Sequence, residues 1–317
     1  MDWKTALGKA LKFLPLIGIV LFVYIIYTIG IEKITSAFVI IPFYFFILAI
    51  VPLFPRLLLY ALRWQYISKK QKINADLIYF YKLSFVSIYY GLITPGAVGW
   101  YIKIFYLRKK CNAAIEKCVT NALLDGTIGG LVGLFIALIG AIVFFDRFPG
   151  FFPIILLFFI LNIVALVIFL KKSRGNKIFK YIIRPLIPKK YKDRADQSLD
   201  SFYEDIPRLR DLIIPFLIES VCWVLLALQT YIFVLAFSIN IPFTSFIFIH
   251  TISLIAVALM PVTIGGLGVR EGAMVYMLLS FGVKPEISFV ISFCGFLVKL
   301  LTPAIIGLFI SFKEKMK

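Results

Sequence analysis

Residues 261–272 read PVTIGGLGVREG, which places a proline, four glycines, an arginine and a glutamate in one short stretch. The apolar runs SFIFIHTISLIAVALM and AMVYMLLSFGV lie directly before and after it. Water would solvate such a stretch in a loop, whereas hydrocarbon offers no hydrogen-bonding partner for irregular backbone. What these residues do therefore depends on whether the chain lies in a membrane.

The composition is that of a membrane protein. Hydrophobic residues make up 62% of the chain and the mean hydropathy is +0.98, whereas soluble domains are about 45–50% apolar. Several uncharged runs reach the roughly 20 residues that a helix needs to cross hydrocarbon. The first of them, residues 14–30, is expected to be a span rather than a signal peptide, because it lacks a small-residue cleavage site and further spans follow. The chain is thus predicted to be an all-α polytopic integral membrane protein.

The charge and the chemistry-bearing residues narrow the class of function. The formal net charge is +18, but the basic residues lie in short loops, as the positive-inside rule predicts, with anionic lipid as a second attraction. No nucleic-acid partner is therefore expected. The four cysteines have no metal-ligand spacing, and His250 is the one histidine. The sequence accordingly predicts no metal site, no cofactor and no catalytic set.

Six apolar segments are long enough to be clear spans, and two further apolar regions are interrupted. ITPGAVG interrupts the region 77–107, and PVTIGGLG interrupts the region 243–283. The predicted spans are residues 13–31, 38–62, 118–145, 151–170, 212–239 and 286–312.

Lysines and arginines indicate the cytoplasmic side, because short cytoplasmic loops are enriched in them. Basic residues precede the first span, follow the second, recur at 103–117 and fill the loop 171–211. Both termini and that loop are therefore predicted to be cytoplasmic, in a multi-pass protein of the cell membrane.

The interrupted region 77–107 starts and ends on the cytoplasmic side in this scheme. Its second limb, residues 96–107, has about 12 residues and is too short to cross the bilayer. It is therefore predicted to be a re-entrant hairpin that turns near Pro95. The region 243–283 is predicted to be a second hairpin that enters from the opposite face.

The two hairpins resemble each other in sequence. The spacing Pro95-x3-Gly99 recurs as Pro261-x3-Gly265, and a basic residue follows each within five positions. Paired broken helices in inverted repeats form the binding sites of many transporters. We therefore expect one membrane domain, residues 1–317, with about eight membrane segments. Its repeat halves are residues 38–145 and 212–312, joined by the span 151–170 and the basic loop 171–211.

The residues of the second break suit an anion site. Gly265, Gly266 and Gly268 permit positive φ and close approach of the backbone to a ligand. A helix that begins near Val269 would present free N–H groups to an anion. Arg270 would add a phosphate-binding fork, and Glu271 is expected to pair with or orient a basic residue. The alternative is a break that only permits packing, with Arg270 and Glu271 either paired to each other or extending to the outer membrane surface.

Other ionisable residues in apolar surroundings carry the same two interpretations, a structural pair or a part of the substrate path. Arg63 and Trp64 flank a span, so we expect them to anchor it at the interface, and His250 is expected to be a core residue. Besides the residues of the second break, the candidate binding residues are Pro95, Gly99, Lys103, Asp125, Glu219 and Lys299.

The stretch PVTIGGLGVREGAMVYMLLSFGV closely resembles the membrane region of the lysylphosphatidylglycerol synthase/flippase family, the multiple peptide resistance factor proteins. The hallmark of that family is a proline followed by GGLGxREG and an apolar helix. ALRWQYIS, TPGAVG and LVKLLTPAIIGL occur in the order the family shows, so the resemblance covers nearly the whole chain. It implies about eight membrane segments and a role in lipid translocation.

The chain departs from the family at several places. Asn121 and Ala122 stand where members often have an acid–Arg pair, and Lys299 stands where they usually have Arg. No segment resembles their soluble aminoacyl-transferase domain, so lysyl transfer by this chain is not expected. A homo-oligomer and a separate lipid-modifying enzyme remain partners to consider.

Three functions are compatible with these observations. The first is a flippase for an anionic phospholipid or a lipid-linked intermediate. The second is a membrane enzyme acting on a lipid phosphate, for which Glu271, Asp125, Glu219 and His250 are the few candidate bases. The third is a small-anion transporter of the same architecture.

The predicted topology can be tested by cysteine accessibility in a cysteine-free background. Single cysteines at Lys33 and Arg147 should react with a membrane-impermeant thiol reagent from outside, because both positions fall in predicted outer loops. Cysteines at Lys70 and Lys177 should react only after permeabilisation. Outside labelling at Lys177 would overturn the topology.

Overall fold

The structure is a computed structural model that describes residues 3–178, 181, 202–260 and 263–313. Regular secondary structure in these residues is helical throughout. Pro261, which we expected to begin the second break, lies outside the described residues, as does much of the predicted basic loop 171–211.

The described helices follow the predicted apolar segments closely. Pro95–Ile102 and Leu209–Leu212 are short 3₁₀ segments, and Leu297–Leu301 is a π-helical turn. The α-helices are α1 (Trp3–Ile29), α2 (Ile31–Val39), α3 (Phe43–Ile50), α4 (Leu53–Lys70), α5 (Leu77–Ile93), α6 (Lys103–Cys111), α7 (Ile115–Val143), α8 (Phe151–Phe169), α9 (Lys172–Ile178), α10 (Ile213–Ala236), α11 (Phe243–Leu259), α12 (Val269–Leu279), α13 (Pro285–Phe296) and α14 (Thr302–Lys313).

Within the described residues, five helical stretches are long and apolar enough to span a membrane. A sixth arises if α1 and α2 count together, although they bend by 85° at Gly30, whose φ is 96°. The prediction of a multi-pass helical membrane protein is confirmed. The five stretches are Phe43–Lys70, Ile115–Val143, Phe151–Phe169, Leu209–Ala236 and Pro285–Lys313.

Helix α10 lies at the centre of the bundle, where it packs against α3, α4, α7, α11 and α13. By contrast, α8 contacts mainly α7 and buries only Ile155 and Leu166. A helix that is apolar on all sides yet mostly exposed is suited to a lipid environment. We therefore place α8 at the edge of the bundle and the functional residues around α10.

The two interrupted regions are both short helices followed by a tight break. Helices α5 and α11 each have 17 residues, which span about 25 Å and so fall short of a typical hydrocarbon core. The 3₁₀ segment Pro95–Ile102 packs back against α5, and α12 packs back against α11. Each break thus returns the chain to the helix that led into it.

Ion pairs join the helix ends at one side of the bundle. Lys72 and Lys117 each lie 2.8 Å from a carboxylate oxygen of Asp205. Hydrogen bonds from Lys117 and then Lys72 hold the pKa of the Asp205 carboxyl below its ordinary value. Lys70 pairs with Asp211 at 2.8 Å, so the segment before α10 is tied to the end of α4 and the start of α7.

Helix α14 packs so closely on α5 that a side chain at Gly307 would fall on the backbone carbonyl of Phe85. Gly307→Ala should therefore destabilise the protein by about 1–3 kcal/mol, the usual cost of overpacking. Gly126→Ala is the matched control, because the nearest atom to its added Cβ is the Tyr101 hydroxyl at 3.7 Å. The control should be neutral or stabilising, since alanine favours helix.

Thermal unfolding in detergent measures both variants. Equal unfolding temperatures for Gly307→Ala and Gly126→Ala would contradict the close approach of α5 and α14.

Candidate functional site

The second break is a run of left-handed backbone between α11 and α12. Gly265, Gly266 and Gly268 have φ values of 58°, 75° and 82°. Side chains with a Cβ rarely adopt such values, so the glycines are required by the backbone itself. Helix α12 begins at Val269, as the sequence predicted.

The Glu271 carboxylate accepts hydrogen bonds from donors of this break. Its Oε2 accepts a hydrogen bond from the Gly268 N–H at 2.7 Å, and its Oε1 accepts one from Arg270 Nε at 3.0 Å. Arg270 Nη2 contacts the same carboxylate oxygen, and Nη1 donates to the Gly265 carbonyl at 2.9 Å. Glu271 is thus the partner of a basic residue, as expected. These contacts use three of the five N–H groups of the Arg270 guanidinium.

The expectation of free backbone N–H groups at this break is partly wrong. The Leu267 N–H donates to the Ile264 carbonyl at 3.1 Å, and the Gly268 N–H donates to Glu271. A membrane-embedded turn must satisfy its own donors because hydrocarbon cannot. An anion at this place would therefore be bound by side chains more than by these amides.

The glycines also allow the neighbouring helices α1 and α11 to approach the break closely. A Cβ at Gly268 would lie 2.5 Å from the Gly18 carbonyl oxygen of α1, and a Cβ at Gly266 would lie 2.8 Å from a methyl group of Val257. Close backbone approach to a ligand was the predicted reason for these glycines. Close approach to α1 and α11 is the reason that the described contacts supply.

The first break also contains left-handed backbone. Gly96 has a φ of 61° and Ala97 a φ of 56°. For alanine this conformation costs about 1–2 kcal/mol, and such strain concentrates at functional sites. Pro95 opens the 3₁₀ segment, and the Gly99 N–H donates to Thr94 Oγ1 at 2.7 Å. A Cβ at Gly99 would fall on the Tyr90 carbonyl, so Gly99 is required for packing on α5.

A cavity of about 470 Å³ lies between the two breaks and is lined by residues of both. It brings together three of the predicted binding residues, Gly265, Gly266 and Arg270. Its lining residues are Ile88, Gly91, Leu92, Gly96, Ala97, Trp100, Leu254, Val257, Ala258, Thr263, Gly265, Gly266, Arg270 and Leu300.

Three other predicted residues meet in a buried ion-pair network. Asp125 lies 2.6 Å from Lys103 Nζ and 2.6 Å from Arg63 Nη2. Arg63 Nη1 in turn lies 2.5 Å from Glu219, and the Tyr60 hydroxyl donates to Asp125 at 2.8 Å. Lys103, Asp125 and Arg63 are at most 3% exposed and Glu219 is 7% exposed. The network joins α4, α6, α7 and α10 through paired charges.

The sequence reading of Arg63 and Trp64 as interface anchors is wrong. Both are fully buried, and Trp64 Nε1 donates to Asn121 Oδ1 at 2.7 Å. The Lys103 ammonium lies 4.9 Å from the centre of the Trp64 ring. Their positions near a helix end suggested the interface, but tertiary contacts with α7 take them into the interior.

A second cavity of about 160 Å³ adjoins the first, since Ile88 and Trp100 line both. Arg56 and Glu219 line the smaller cavity. Arg56 Nη2 donates to the Lys299 carbonyl at 3.2 Å, while its buried Nε has no hydrogen-bond partner among the described residues.

The sequence analysis missed Arg56. A signal was available, because Arg56, Tyr60 and Arg63 are spaced four and three apart on one face of α4.

Lys299 and His250 form a separate buried contact. Their Nζ and Nε2 atoms are 2.8 Å apart, and both residues are at most 2% exposed. Lys299 belongs to the π-helical turn, a geometry that is frequent at functional sites. It does not line the larger cavity, although Leu300 does. His250 is a core residue, as expected, but its partner is a lysine.

The two sets of buried charged side chains differ in net charge. Arg63 and Lys103 are matched by Asp125 and Glu219. Around the larger cavity and its neighbour, Arg56 and Arg270 face two carboxylates that are already engaged, Glu271 by Arg270 and Glu219 by Arg63. Among the described residues, no group of three or more His, Cys, Asp or Glu side chains could hold a metal ion. An anion is the ligand that this excess of positive charge favours.

The network around Asp125 should be essential for folding. Asp125→Asn leaves Lys103 without its carboxylate, and removing one partner of a buried pair costs about 3–5 kcal/mol. Adding Lys103→Met should recover part of this loss, since the unpaired ammonium is then gone. Lys70→Met, at the exposed pair with Asp211, should leave the unfolding midpoint close to that of the wild type.

Denaturant unfolding in detergent measures the free energy of unfolding of the wild type, Asp125→Asn, Lys103→Met and the double variant. Additive effects of Asp125→Asn and Lys103→Met would show that the two charges do not interact.

Comparisons with known proteins identify a membrane-protein family for this chain. Residues 12–307 match the family model described as the lysylphosphatidylglycerol synthase TM region. A UPF0104 membrane protein of Pyrococcus horikoshii is 24% identical, over 93% of this chain and 94% of its own length. A UPF0104 membrane protein of Methanothermobacter thermautotrophicus is 22% identical, over 87% of each chain. The chain therefore belongs to the family of the lysylphosphatidylglycerol synthase TM region.

Proposed function

We propose that this protein moves an anionic phospholipid, or a lipid-linked intermediate with a phosphate headgroup, between the leaflets of the cell membrane. The observation that carries the proposal is the cavity of about 470 Å³ between the two breaks, with Arg270 in its wall. Arg56 adds a second guanidinium in the adjoining cavity. A phosphodiester would supply the negative charge that these two arginines favour.

The proposed topology places the two breaks in re-entrant hairpins. In it, α5 and α6 enter from the cytoplasm, α11 and α12 enter from outside, and both termini are cytoplasmic. The 17-residue lengths of α5 and α11 support this arrangement. So does the cavity between the breaks, because inverted repeats place the site where paired broken helices meet. The chain would then have about eight membrane segments, with halves 38–145 and 212–312.

Each part of the cavity has a distinct role in this scheme. The remaining N–H groups of Arg270 and the unpartnered Nε of Arg56 would donate to phosphate oxygens. Apolar residues beside the breaks would contact acyl chains: Val98 and Met260 are 66% and 49% exposed. The headgroup would thus cross within protein while the tails stay in lipid.

Transport without chemical change accounts for the titratable residues better than catalysis does. Three carboxylates that could act as a base, Asp125, Glu219 and Glu271, are each paired with an arginine or lysine. A general base needs a free position beside its substrate. We therefore propose a transporter rather than an enzyme acting on a lipid phosphate.

Arg56 provides the sharpest test, because it forms no salt bridge with the described carboxylates, and Glu219 beside it is already paired with Arg63. Arg56→Gln should reduce co-purified phosphatidylglycerol about tenfold or more, as expected for one charged hydrogen bond of about 1.5–3 kcal/mol. It should slow translocation of labelled phosphatidylglycerol in proteoliposomes to a similar degree. Arg56→Lys keeps the positive charge but loses the planar guanidinium. Its lipid content and translocation rate should therefore lie between those of the wild type and Arg56→Gln. Arg147→Gln is the matched control, since that guanidinium lies over the Phe281 ring, away from the cavity.

Arg270 requires a double variant, because Arg270→Ala alone would leave Glu271 buried without its partner. Arg270→Gln with Glu271→Gln removes both charges and should also reduce bound anionic lipid. The headgroup site is disproved if this variant and Arg56→Gln are folded, monodisperse and unchanged in lipid content and translocation. A chemically altered lipid would indicate an enzyme instead. Uptake of a small anion without lipid movement would indicate an ion transporter.

A further inference from the structure

The contact between Lys299 and His250 has no role in the headgroup site described above. The two nitrogen atoms are 2.8 Å apart and are buried among helices. In the part of the chain that the structure describes, His250 Nδ1 has no hydrogen-bond partner. This histidine is the one histidine of the chain.

The geometry limits how many protons the pair can hold. In a hydrogen bond between two nitrogens, one nitrogen donates and the other must accept. A protonated lysine facing a protonated imidazole would place two donors against each other. At 2.8 Å, a Lys299 ammonium that donates to a neutral imidazole occupies the Nε2 lone pair, so a further proton on the pair must bind at that lone pair. Adding that proton breaks the hydrogen bond and creates a second positive charge.

The surroundings oppose this second charge when the cavity holds no anion. Among the described residues, the charged groups that act on the pair are Arg270 and Glu271 of α12 and Arg56 of α4. Glu271 is engaged by Arg270 and by the Gly268 N–H. The other helices packed against the pair contribute no further charged partner to it among these residues. The local field is thus positive, and an anion in the cavity would offset it.

We propose that Lys299 and His250 form a proton-binding site that gains one proton when an anionic headgroup enters the adjoining cavity. A hydronium ion of the aqueous phase supplies the proton and is left as water, His250 Nε2 accepts the proton, and the hydrogen bond from Lys299 Nζ opens. The proton leaves when the headgroup leaves, so lipid movement becomes coupled to proton movement. This inference rests on the proposed function, because the anion that drives proton uptake is the lipid phosphate.

The position of the pair suits such coupling. The hydrogen bond joins α11, which leads into the second break, to the π-helical turn that carries Lys299. Arg56 also donates to the carbonyl of Lys299. Opening the bond would therefore release a link between the second break and the helix pair α13–α14, next to the site that the headgroup occupies.

The single histidine makes the proposal directly observable. The full-length protein, freed of any affinity tag and labelled with ¹⁵N-histidine, would be placed in nanodiscs of phosphatidylcholine alone or with phosphatidylglycerol. The ¹⁵N signals distinguish neutral imidazole from imidazolium. We expect the imidazolium form to persist to a pH about one unit higher with phosphatidylglycerol, which corresponds to a tenfold change in proton affinity. Calorimetry with dihexanoyl-phosphatidylglycerol in two buffers should show uptake of about one proton per lipid bound.

Three variants serve as controls. His250→Gln keeps an acceptor for Lys299 but cannot be protonated in this range, so it should bind lipid without proton uptake. The arginine of Lys299→Arg stays protonated, so this variant should change the pH at which the His250 signal converts between neutral imidazole and imidazolium. Lys284→Met, at an exposed lysine before α13, should behave as the wild type.

The outcomes separate this inference from the proposed function. If mass spectrometry finds bound phosphatidylglycerol but the histidine signal is the same in both lipids, the proton site is wrong and the headgroup site stands. If phosphatidylglycerol does not bind, the headgroup site fails and the proton site fails with it. The wild-type spectra decide the matter even if a variant does not fold.

Discussion

The bilayer cannot hydrogen-bond to protein, and this constraint governs both breaks in the chain. At the second break, Glu271 caps the Gly268 N–H and holds Arg270, while Arg270 returns a hydrogen bond to the Gly265 carbonyl. At the first break, Thr94 accepts from the Gly99 N–H. Irregular backbone can therefore lie deep in the bundle, because its polar groups are satisfied by the protein or face a cavity.

The buried charged residues beside these breaks form two groups. Asp125, Glu219, Lys103 and Arg63 neutralise one another and tie four helices together. Near the cavity the balance is different, because Arg270 shares its carboxylate with a backbone cap and Arg56 forms no salt bridge within the described part of the chain. A neutral network thus supports the fold, and a positive region beside it favours a negatively charged ligand.

Local patterns in the sequence were enough to predict the helices but not the site. Long apolar runs predicted the spans, and the break at 261–272 predicted that α12 would begin at Val269. Pairing between Arg270 and Glu271 was also predictable, because they are adjacent. The network around Asp125 depends on contacts between residues 22–156 positions apart, which no spacing along the chain reports. For the same reason Arg63 was assigned to the interface and Arg56 was missed, although both lie on one face of α4.

The central claim is that a phospholipid headgroup lies between the two breaks. Electron cryo-microscopy of the protein in phosphatidylglycerol nanodiscs, with an antibody fragment to add mass, tests it most directly. We expect headgroup density between Gly96–Ala97 and Gly265–Gly266, within hydrogen-bonding distance of Arg270 or Arg56. Headgroup density confined to another surface, such as the groove of about 490 Å³ beside Tyr24 and Tyr276, would contradict it.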